Sequence, residues 1–419
     1  MICMNRSRLL AIFFIVFVDM LGFSLILPLL PYYAEGYGAN AAIVGLLVAS
    51  YAAAQLIGAP ILGRLSDRYG RRPILLFSVA GTFTGFILLG FADPIGRALA
   101  GVFAPEWTNS FIIGVLFISR IMDGLTGGNI TVAQAYIADI TDEKNRARSM
   151  GIIGAAFGLG FIIGPATGGL LSKWGFDIPA FTAAAVSFLN LSLIYFLLPE
   201  SLVGEVRESA RNRQKPPFTL NALVEALQRP GIGPLLHIRF FYGLAFAMFQ
   251  SIFSLFAQAI GLSSQTTGYI LAYVGVLSVI TQVALIGPLT HRFKENVLII
   301  TGVWLMAFSL FAWSFTSSLI PILVVLLPMA LSGGVLNTVL QSAISKSVSR
   351  EEVGGILGIA SSLEAVTRVI APSIGGFLLQ QLGVWAPGVF SALVMVWVVL
   401  FTYRKVILPA RRASLTVVE

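Results

Sequence analysis

Long uninterrupted apolar runs constrain this chain before anything else does. Reading between charged or Pro/Gly-rich breaks yields twelve of them, at about 9–31, 42–63, 74–92, 110–138, 149–172, 179–199, 233–258, 266–289, 297–316, 319–345, 354–380 and 385–403. Each is roughly the 20 residues that a helix needs to cross a hydrocarbon core of about 30 Å. Composition points to the same solvent: 57% of the residues are hydrophobic and only 11% charged, against about 25% charged in a soluble domain. A transmembrane β-barrel does not fit, because its strands alternate and run to about 10 residues. The sequence therefore predicts an all-α membrane protein with twelve spanning helices.

Arg6 and Arg8 before an apolar stretch imitate a signal peptide. That stretch is too long, carries Asp19, and reaches Pro28 and Pro31 without a small-residue cleavage site, so it reads as a retained first helix. The single cysteine, Cys3, excludes an intrachain disulfide and a cysteine-built metal site, and His237 and His291 do not suggest a metal centre. The net charge of +8 invites a nucleic-acid reading. Its distribution answers otherwise. With both termini inside, the external segments hold only Arg97 and Lys173, and Arg120, Arg239 and Arg368 fall within spans; every other one of the 27 Lys and Arg lies in an internal segment. This is the positive-inside bias. It calls for an even number of spans and cytoplasmic termini, and no nucleic-acid partner is expected.

A charged, proline-containing stretch divides six spans from six. It predicts an N-terminal six-helix bundle over 1–199, a cytoplasmic linker over 200–231, and a C-terminal six-helix bundle with a cytoplasmic tail over 232–419. Within the linker, residues 218–228 read as a short amphipathic surface helix. The halves echo each other. The fifth span carries Gly164-Pro165-x-x-Gly168-Gly169 and the eleventh Ala371-Pro372-x-x-Gly375-Gly376. The loop Gly63-Arg64-Leu65-Ser66-Asp67-Arg68 has a weaker counterpart in Gly287-Pro288-Leu289-Thr290-His291-Arg292. Two pseudo-symmetric bundles around a midplane site are a transporter architecture.

Ionisable side chains inside the spans are expensive, about 2.5–3.5 kcal/mol on lenient scales, and mark function by default. Asp19 follows Arg8 by a helical rise that puts it roughly halfway through the bilayer. Arg120 and Asp123 are central in the fourth span, bracketed by Asn109 and Asp139. Glu364 and Arg368 are central in the eleventh, and a spacing of four puts them on one helix face, where they can pair. In the 63–72 loop, Gly63 and Gly70 permit a tight turn, and Asp67 faces Arg68, Arg71 and Arg72; a basic cytoplasmic anchor is the simpler reading. Gly160, Gly164 and Gly168 let neighbouring backbones approach, and Pro165 removes a helical hydrogen bond and bends its helix. Ordinary packing explains much of this pattern.

Four segments together resemble one family. They are Gly63-x-Leu65-Ser66-Asp67-Arg68-x-Gly70-Arg71-Arg72, Arg120-x-x-Asp123-Gly124-x-x-Gly127, the fifth-span glycines from Gly151 to Gly169 with Pro165, and Asp19 followed by Pro28 and Pro31. The pattern looks like the major facilitator superfamily, and its fifth span is similar to that of the drug:proton antiporters, above all the tetracycline-efflux branch. The resemblance implies a gate latch in the 63–72 loop, with Asp67 pairing Arg71 and the N-terminus of the eleventh span near Gly354. It implies export more than import. It also implies proton coupling: Asp19 would gain and lose a proton with Arg120 as its conditional counter-ion, and Asp123 and Glu364 would be second candidates. Such a carboxylate needs burial and a movable cation to tune it. Glu364–Arg368 also reads as a structural brace.

Gln55 after Tyr51 is similar to the tetracycline exporters, where the matching glutamine contacts substrate. Phe23, Asn129, Gln134, Phe246, Gln250, Asn337 and Gln341 join them as candidate cavity residues, suited as a group to an amphipathic or aromatic solute. The eighth span lacks the histidine of the tetracycline branch, so a broader drug or a metabolite fits as well. No P-loop is present; a proton gradient, with no cofactor, would supply the energy. An importer or exchanger of a sugar, organic acid or lipid on the same fold is the rival reading. An intramembrane enzyme lacks any convergent nucleophile, and a non-transporting sensor is the remote alternative. A monomer in the bacterial inner membrane is expected.

Overall fold

The computed structural model describes residues 6–141, 143–202, 220–348 and 352–409. Cys3, Arg350, Arg411, Arg412 and most of the expected linker lie outside the described residues. The helices are α1 (Arg6–Ile26), α2 (Leu30–Glu35), α3 (Ala41–Tyr69), α4 (Arg71–Gly90), α5 (Ala92–Phe103), α6 (Thr108–Thr126), α7 (Asn129–Ile140), α8 (Glu143–Leu171), α9 (Asp177–Leu197), α10 (Leu220–Gln228), α11 (Gly233–Ala259), α12 (Ser264–Ile280), α13 (Ile286–Arg292), α14 (Glu295–Trp313), α15 (Leu319–Lys346), α16 (Val353–Leu382) and α17 (Ala386–Thr402). They compose twelve stretches long and apolar enough to cross a membrane, as the apolar runs predict. The short amphipathic helix expected at 218–228 is α10; residues 218 and 219 lie outside the described part.

Two differences from the sequence reading have clear physical causes. The segment after α4 contains a further helix, α5, which exposes Leu99, Val102 and Phe103 on one side and buries Ala92, Gly96 and Ala100 on the other. Gly96 is required there, since a Cβ would run into Ile112 of α6. The fourth span is also not continuous. It breaks between α6 and α7 at Gly127 and Gly128, where ψ swings to 45° and 0°. Carbonyls freed by a break inside a membrane need new donors. Ser78 donates its hydroxyl to the Thr126 carbonyl, and Gln55 Nε2 donates to the Gly127 carbonyl at 3.0 Å.

The chain divides into two compact units, Met1–Lys215 with Gly261–Gly275, and Pro216–Ile260 with Val276–Glu419. In the first, α1 lies along α8 on a seam of small residues. A Cβ on Gly160 would come within 2.7 Å of Met20, and those on Gly164 and Gly168 would collide with Ser24 and the Leu25 carbonyl. The Ser24 hydroxyl donates to the Gly160 carbonyl at 2.7 Å across this seam. A second close approach joins α3 to α6, with Gly58 against the Leu125 backbone and Gly124 against Tyr51. Without a hydrophobic force between helices in lipid, dispersion and hydrogen bonds at such seams hold a bundle together. The start of α12 belongs to the same unit: the Tyr32 hydroxyl donates to the Leu262 carbonyl at 3.1 Å and lies 2.7 Å from Thr267 Oγ1. In the second unit, Phe249, Phe253 and Phe256 of α11 surround Trp313 of α14, with the Phe256 and Trp313 ring centres 4.9 Å apart.

Candidate coupling site

The α1 helix carries Asp19 into the first unit, and α7 begins where it can meet that carboxylate. Asn129 Nδ2 donates to Asp19 Oδ1 at 2.6 Å. On α6, Arg120 and Asp123 are buried and form an ion pair at 3.1 Å. The Arg120 guanidinium lies over the Phe86 ring, 5.2 Å from its centre, and Thr82 of α4 hydrogen-bonds Asp123. The expected Asp19–Arg120 contact is therefore not the arrangement seen. Arg120 takes Asp123, its neighbour one turn along the same helix, and Asp19 takes an amide instead.

A cavity of about 20 Å³ separates the two carboxylates, lined by Asp19, Phe23, Gln55, Thr82, Asp123 and Asn129 among others. It has room for about one water molecule. Among the described residues, two buried polar atoms in this region, Asn129 Oδ1 and Arg120 Nη2, have no hydrogen-bond partner. Two carboxylates against one guanidinium leave one formal negative charge. A single proton would neutralise the group without stranding a buried ion, which matters because unpaired buried charges are costly. Phe23 stacks obliquely on Tyr51 at 5.1 Å, and Gln55 also reaches the Tyr51 hydroxyl at 3.0 Å. Phe23, Tyr51, Gln55 and Asn129 thus converge with the charged residues; Gln134 is exposed on α7 and does not line the cavity.

At the inner end of the same unit, residues 63–72 centre a dense network. Expected from the sequence to form a loop, they are instead the last turns of α3 and the first of α4, separated by Gly70 alone. Arg71 is buried, pairing with Asp67 at 2.7 Å and Asp139 at 2.9 Å, and it donates to Ser66 Oγ at 2.7 Å. Gly70 adopts φ 110°, which favours glycine. Just beyond it, the Glu200 carboxylate accepts from the backbone N–H of Arg71 at 2.9 Å and of Arg72 at 3.1 Å, capping α4. Sequence reasoning did not single out Glu200; its signal was a lone acid directly after Pro199 at the end of a span. Arg68 stays exposed over Tyr69, and Gly63 faces Thr131. The glycines Gly160, Gly164 and Gly168 form the α1 seam, while the Pro165 carbonyl meets Gly268 of α12.

The second unit gathers its own charges. Glu364 accepts from Arg368 at 2.8 Å, as the spacing predicts, and from Arg239 of α11 at 2.9 Å. Arg239 also donates to Asn337 Oδ1 at 2.7 Å, a role the sequence reading did not assign it. Phe246 stacks on Tyr242 at 5.9 Å, and Gln250 and Gln341 are exposed. Outside the spans, Arg97 holds the Asp93 carboxyl below the usual range, its Nε donating a bifurcated hydrogen bond to both carboxylate oxygens at 2.9 Å, and burial pushes the neighbouring Tyr37 hydroxyl up to about 12. Among the described residues no His/Cys/Asp/Glu group could hold a metal ion.

Known proteins share this organisation. The chain is 32% identical over 385 residues to the class H tetracycline resistance protein of Pasteurella multocida, covering 90% of this chain and 89% of that one. It is 31% identical over 381 residues to the class C tetracycline resistance protein of Escherichia coli, covering 88% and 89%. The resemblance read from the motifs is thereby borne out. The crystal structure of the human organic anion transporter MFSD10 matches with a TM-score of 0.65 at 22% identity, over 95% of this chain and 99% of that one; this likeness speaks for the fold alone. The model of the Major Facilitator Superfamily matches residues 12–237 and again 235–416, so that with its twelve spans the chain belongs to this superfamily.

Proposed function

We propose that this transporter, a member of a family of carriers rather than enzymes, exports an amphipathic or aromatic drug-like molecule in exchange for protons. The observation that carries the reading is the single excess negative charge shared by Asp19, Asp123 and Arg120 around a cavity the size of one water. Asp19 is the proton carrier, held by Asn129 rather than by a fixed cation. Arg120 stays on Asp123 and can be drawn towards Asp19 as the carrier cycles. Phe23, Tyr51 and Gln55 supply the aromatic and polar wall against which a solute would rest. The tetracycline resistance proteins among its relatives support the export direction. In this reading residues 1–199 and 232–419 act as the two moving halves, the linker over 200–231 and both termini are cytoplasmic, and the protein works as a monomer in a bacterial inner membrane. Asp67 and Arg71 serve as a gate element, steadied by Asp139.

A second reading rests on the Arg239–Glu364–Arg368 cluster, which carries one excess positive charge in the other unit. It would suit an organic acid and hence a metabolite exchanger or importer. Purified protein in acid-loaded liposomes, with a pH-sensitive dye inside, separates the two. Alkalinisation driven by lipophilic drugs and absent in Asp19→Asn is the expected result. Proton movement driven by organic acids and by no drug would favour the second reading. Full drug-driven exchange in Asp19→Asn would remove Asp19 from the coupling role.

A further inference from the structure

Five polar side chains from five helices line the small cavity of the first unit: Asp19 of α1, Gln55 of α3, Thr82 of α4, Asp123 of α6 and Asn129 of α7. Apolar side chains such as Phe86, itself fully buried, close most of the rest. The volume of about 20 Å³ exceeds the roughly 10–15 Å³ that one water centre needs, and a buried water also needs two to four polar partners. Both requirements are met. The other charged residues of α1 and α6 and of the helices packed on them lie within two turns of helix ends or on α5, so Asp19, Arg120 and Asp123 have this level of the bundle to themselves among the described residues.

The hydrogen bonds already made leave particular atoms over. Asn129 is 8% exposed, and its Nδ2 donates to Asp19 while its Oδ1 has no partner among the described residues. A buried acceptor without a donor is costly. Gln55 is not that donor, because its Nε2 is committed to the Tyr51 hydroxyl and the Gly127 carbonyl. Thr82, also buried, hydrogen-bonds Asp123 and so fixes how that carboxyl is turned. Arg120 holds Asp123 through Nη1, and its buried Nη2 is without a partner. The guanidinium therefore keeps a donor in hand for a second carboxylate.

We propose that this cavity binds one water molecule, which passes the coupling proton between Asp19 and Asp123, with Thr82 as the positioning residue. The water donates one hydrogen to Asn129 Oδ1 and the other to whichever carboxylate is ionised, and it accepts from the carboxylic acid opposite. In the transfer, Asp123 gives its proton to the water oxygen as the water gives one of its own to Asp19. One O–H bond forms and one breaks at the water, and the charge of the group is unchanged. Arg120 can pair with only one carboxylate at a time, and the other needs the proton if no buried charge is to be stranded. With Arg120 on Asp123, as here, the proton belongs on Asp19; with Arg120 on Asp19 it belongs on Asp123. The water lets the proton cross as the guanidinium crosses the other way. This relay rests on the proton-coupled reading above and adds a second seat for the proton.

Infrared difference spectra of the full-length protein on acidification, in ordinary and in heavy-oxygen water, test for the bound molecule. An O–H band that shifts in heavy-oxygen water is expected, and Asn129→Ala should lose it. The relay itself is read from drug-driven proton exchange in liposomes. Thr82→Val should slow that exchange about tenfold, the worth of one hydrogen bond, while Thr82→Ser, which keeps the hydroxyl, should stay near the native rate. Thr84→Val, at an exposed threonine of the same helix, should change neither readout. Absence of the band, its survival in Asn129→Ala, or a native rate in Thr82→Val would overturn the relay. Equal slowing in Thr82→Ser would do so too, by placing the effect in packing rather than in the hydroxyl. In each of these cases loss of exchange in Asp19→Asn would still uphold the transport reading. Exchange that persists in Asp19→Asn, or that no drug drives in the native protein, would remove that reading and the relay with it.

Discussion

Asn129 Nδ2 donates to Asp19 Oδ1 at 2.6 Å, joining residues 110 positions apart. Asn129 can do so because Gly127 and Gly128 interrupt the span and let α7 restart at that point. The break thus serves the site twice. It aims an amide at the carboxylate of α1, and it presents the Gly127 carbonyl to Gln55, which anchors the polar wall of the same cavity. A continuous helix would hide that carbonyl in its own hydrogen-bond ladder.

Replacing Asn129 by Ala should therefore slow proton-driven exchange by roughly tenfold to a hundredfold, the equivalent of losing one charge-assisted hydrogen bond of about 1.5–3 kcal/mol. Dye-based proton uptake in liposomes reads the effect directly. Wild-type exchange in this variant would show that Asn129 merely packs beside Asp19.

The legible parts of this molecule were those with a local cause. Spans follow from unbroken apolar length, and the pair Glu364–Arg368 follows from a spacing of four on one helix, whereas Asp67–Arg71, implied by the family resemblance, bridges the end of α3 and the start of α4 across Gly70. The glycines at 160, 164 and 168 announced a close seam through their own period. What the sequence did not disclose depends on which helices lie side by side. Glu200 reaches Arg71 across 129 positions and Arg239 reaches Glu364 across 125, and no local pattern encodes either register. That Arg120 pairs here with Asp123 rather than Asp19 has a related reason: Asp123 lies within reach one turn along the same helix. The interruption at Gly127–Gly128 was visible as two glycines, but their apolar flanks read as one continuous run.

The seam between α1 and α8 gives a graded test. Gly164→Ala places a methyl group against Ser24, where the two backbones have no room to part. A cost of about 1–3 kcal/mol is expected from such overpacking, seen as a lower unfolding temperature in detergent. Gly154→Ala, on the same helix but with open space around it, should be neutral or slightly stabilising. Similar losses in both would mean that helix flexibility, not the seam, sets stability.

Capping of α4 by Glu200 predicts its own signature. Glu200→Ala strips the acceptor from the Arg71 and Arg72 N–H groups and from Ser201 and Leu202. A loss of about 0.5–2 kcal/mol is expected, as for other helix caps. Glu200→Gln keeps one carbonyl acceptor and should retain part of it. Proteolysis of the neighbouring linker is a convenient second readout, because the end of α9 is tied down through the same carboxylate. Equal stability of both variants to wild type would show that solvent satisfies these N–H groups as well as Glu200 does.

Arg239 and Arg368 both hold Glu364, but they are not equivalent. The Arg239 side chain is 12% exposed and Arg368 is 54% exposed. An exposed pair contributes little, under about 1 kcal/mol, whereas removing a buried partner strands its counter-charge. Arg239→Ala also leaves Asn337 Oδ1 without its donor. Thermal unfolding should therefore show Arg239→Ala to be the more damaging, by about 1–3 kcal/mol, and Arg368→Ala close to neutral. Adding Glu364→Gln to Arg239→Ala should restore part of the loss, since the carboxylate no longer needs a cation. Equal damage from the two arginines would place the weight of the cluster at its exposed end. No recovery in the double variant would mean that Arg239 acts through Asn337 rather than through Glu364.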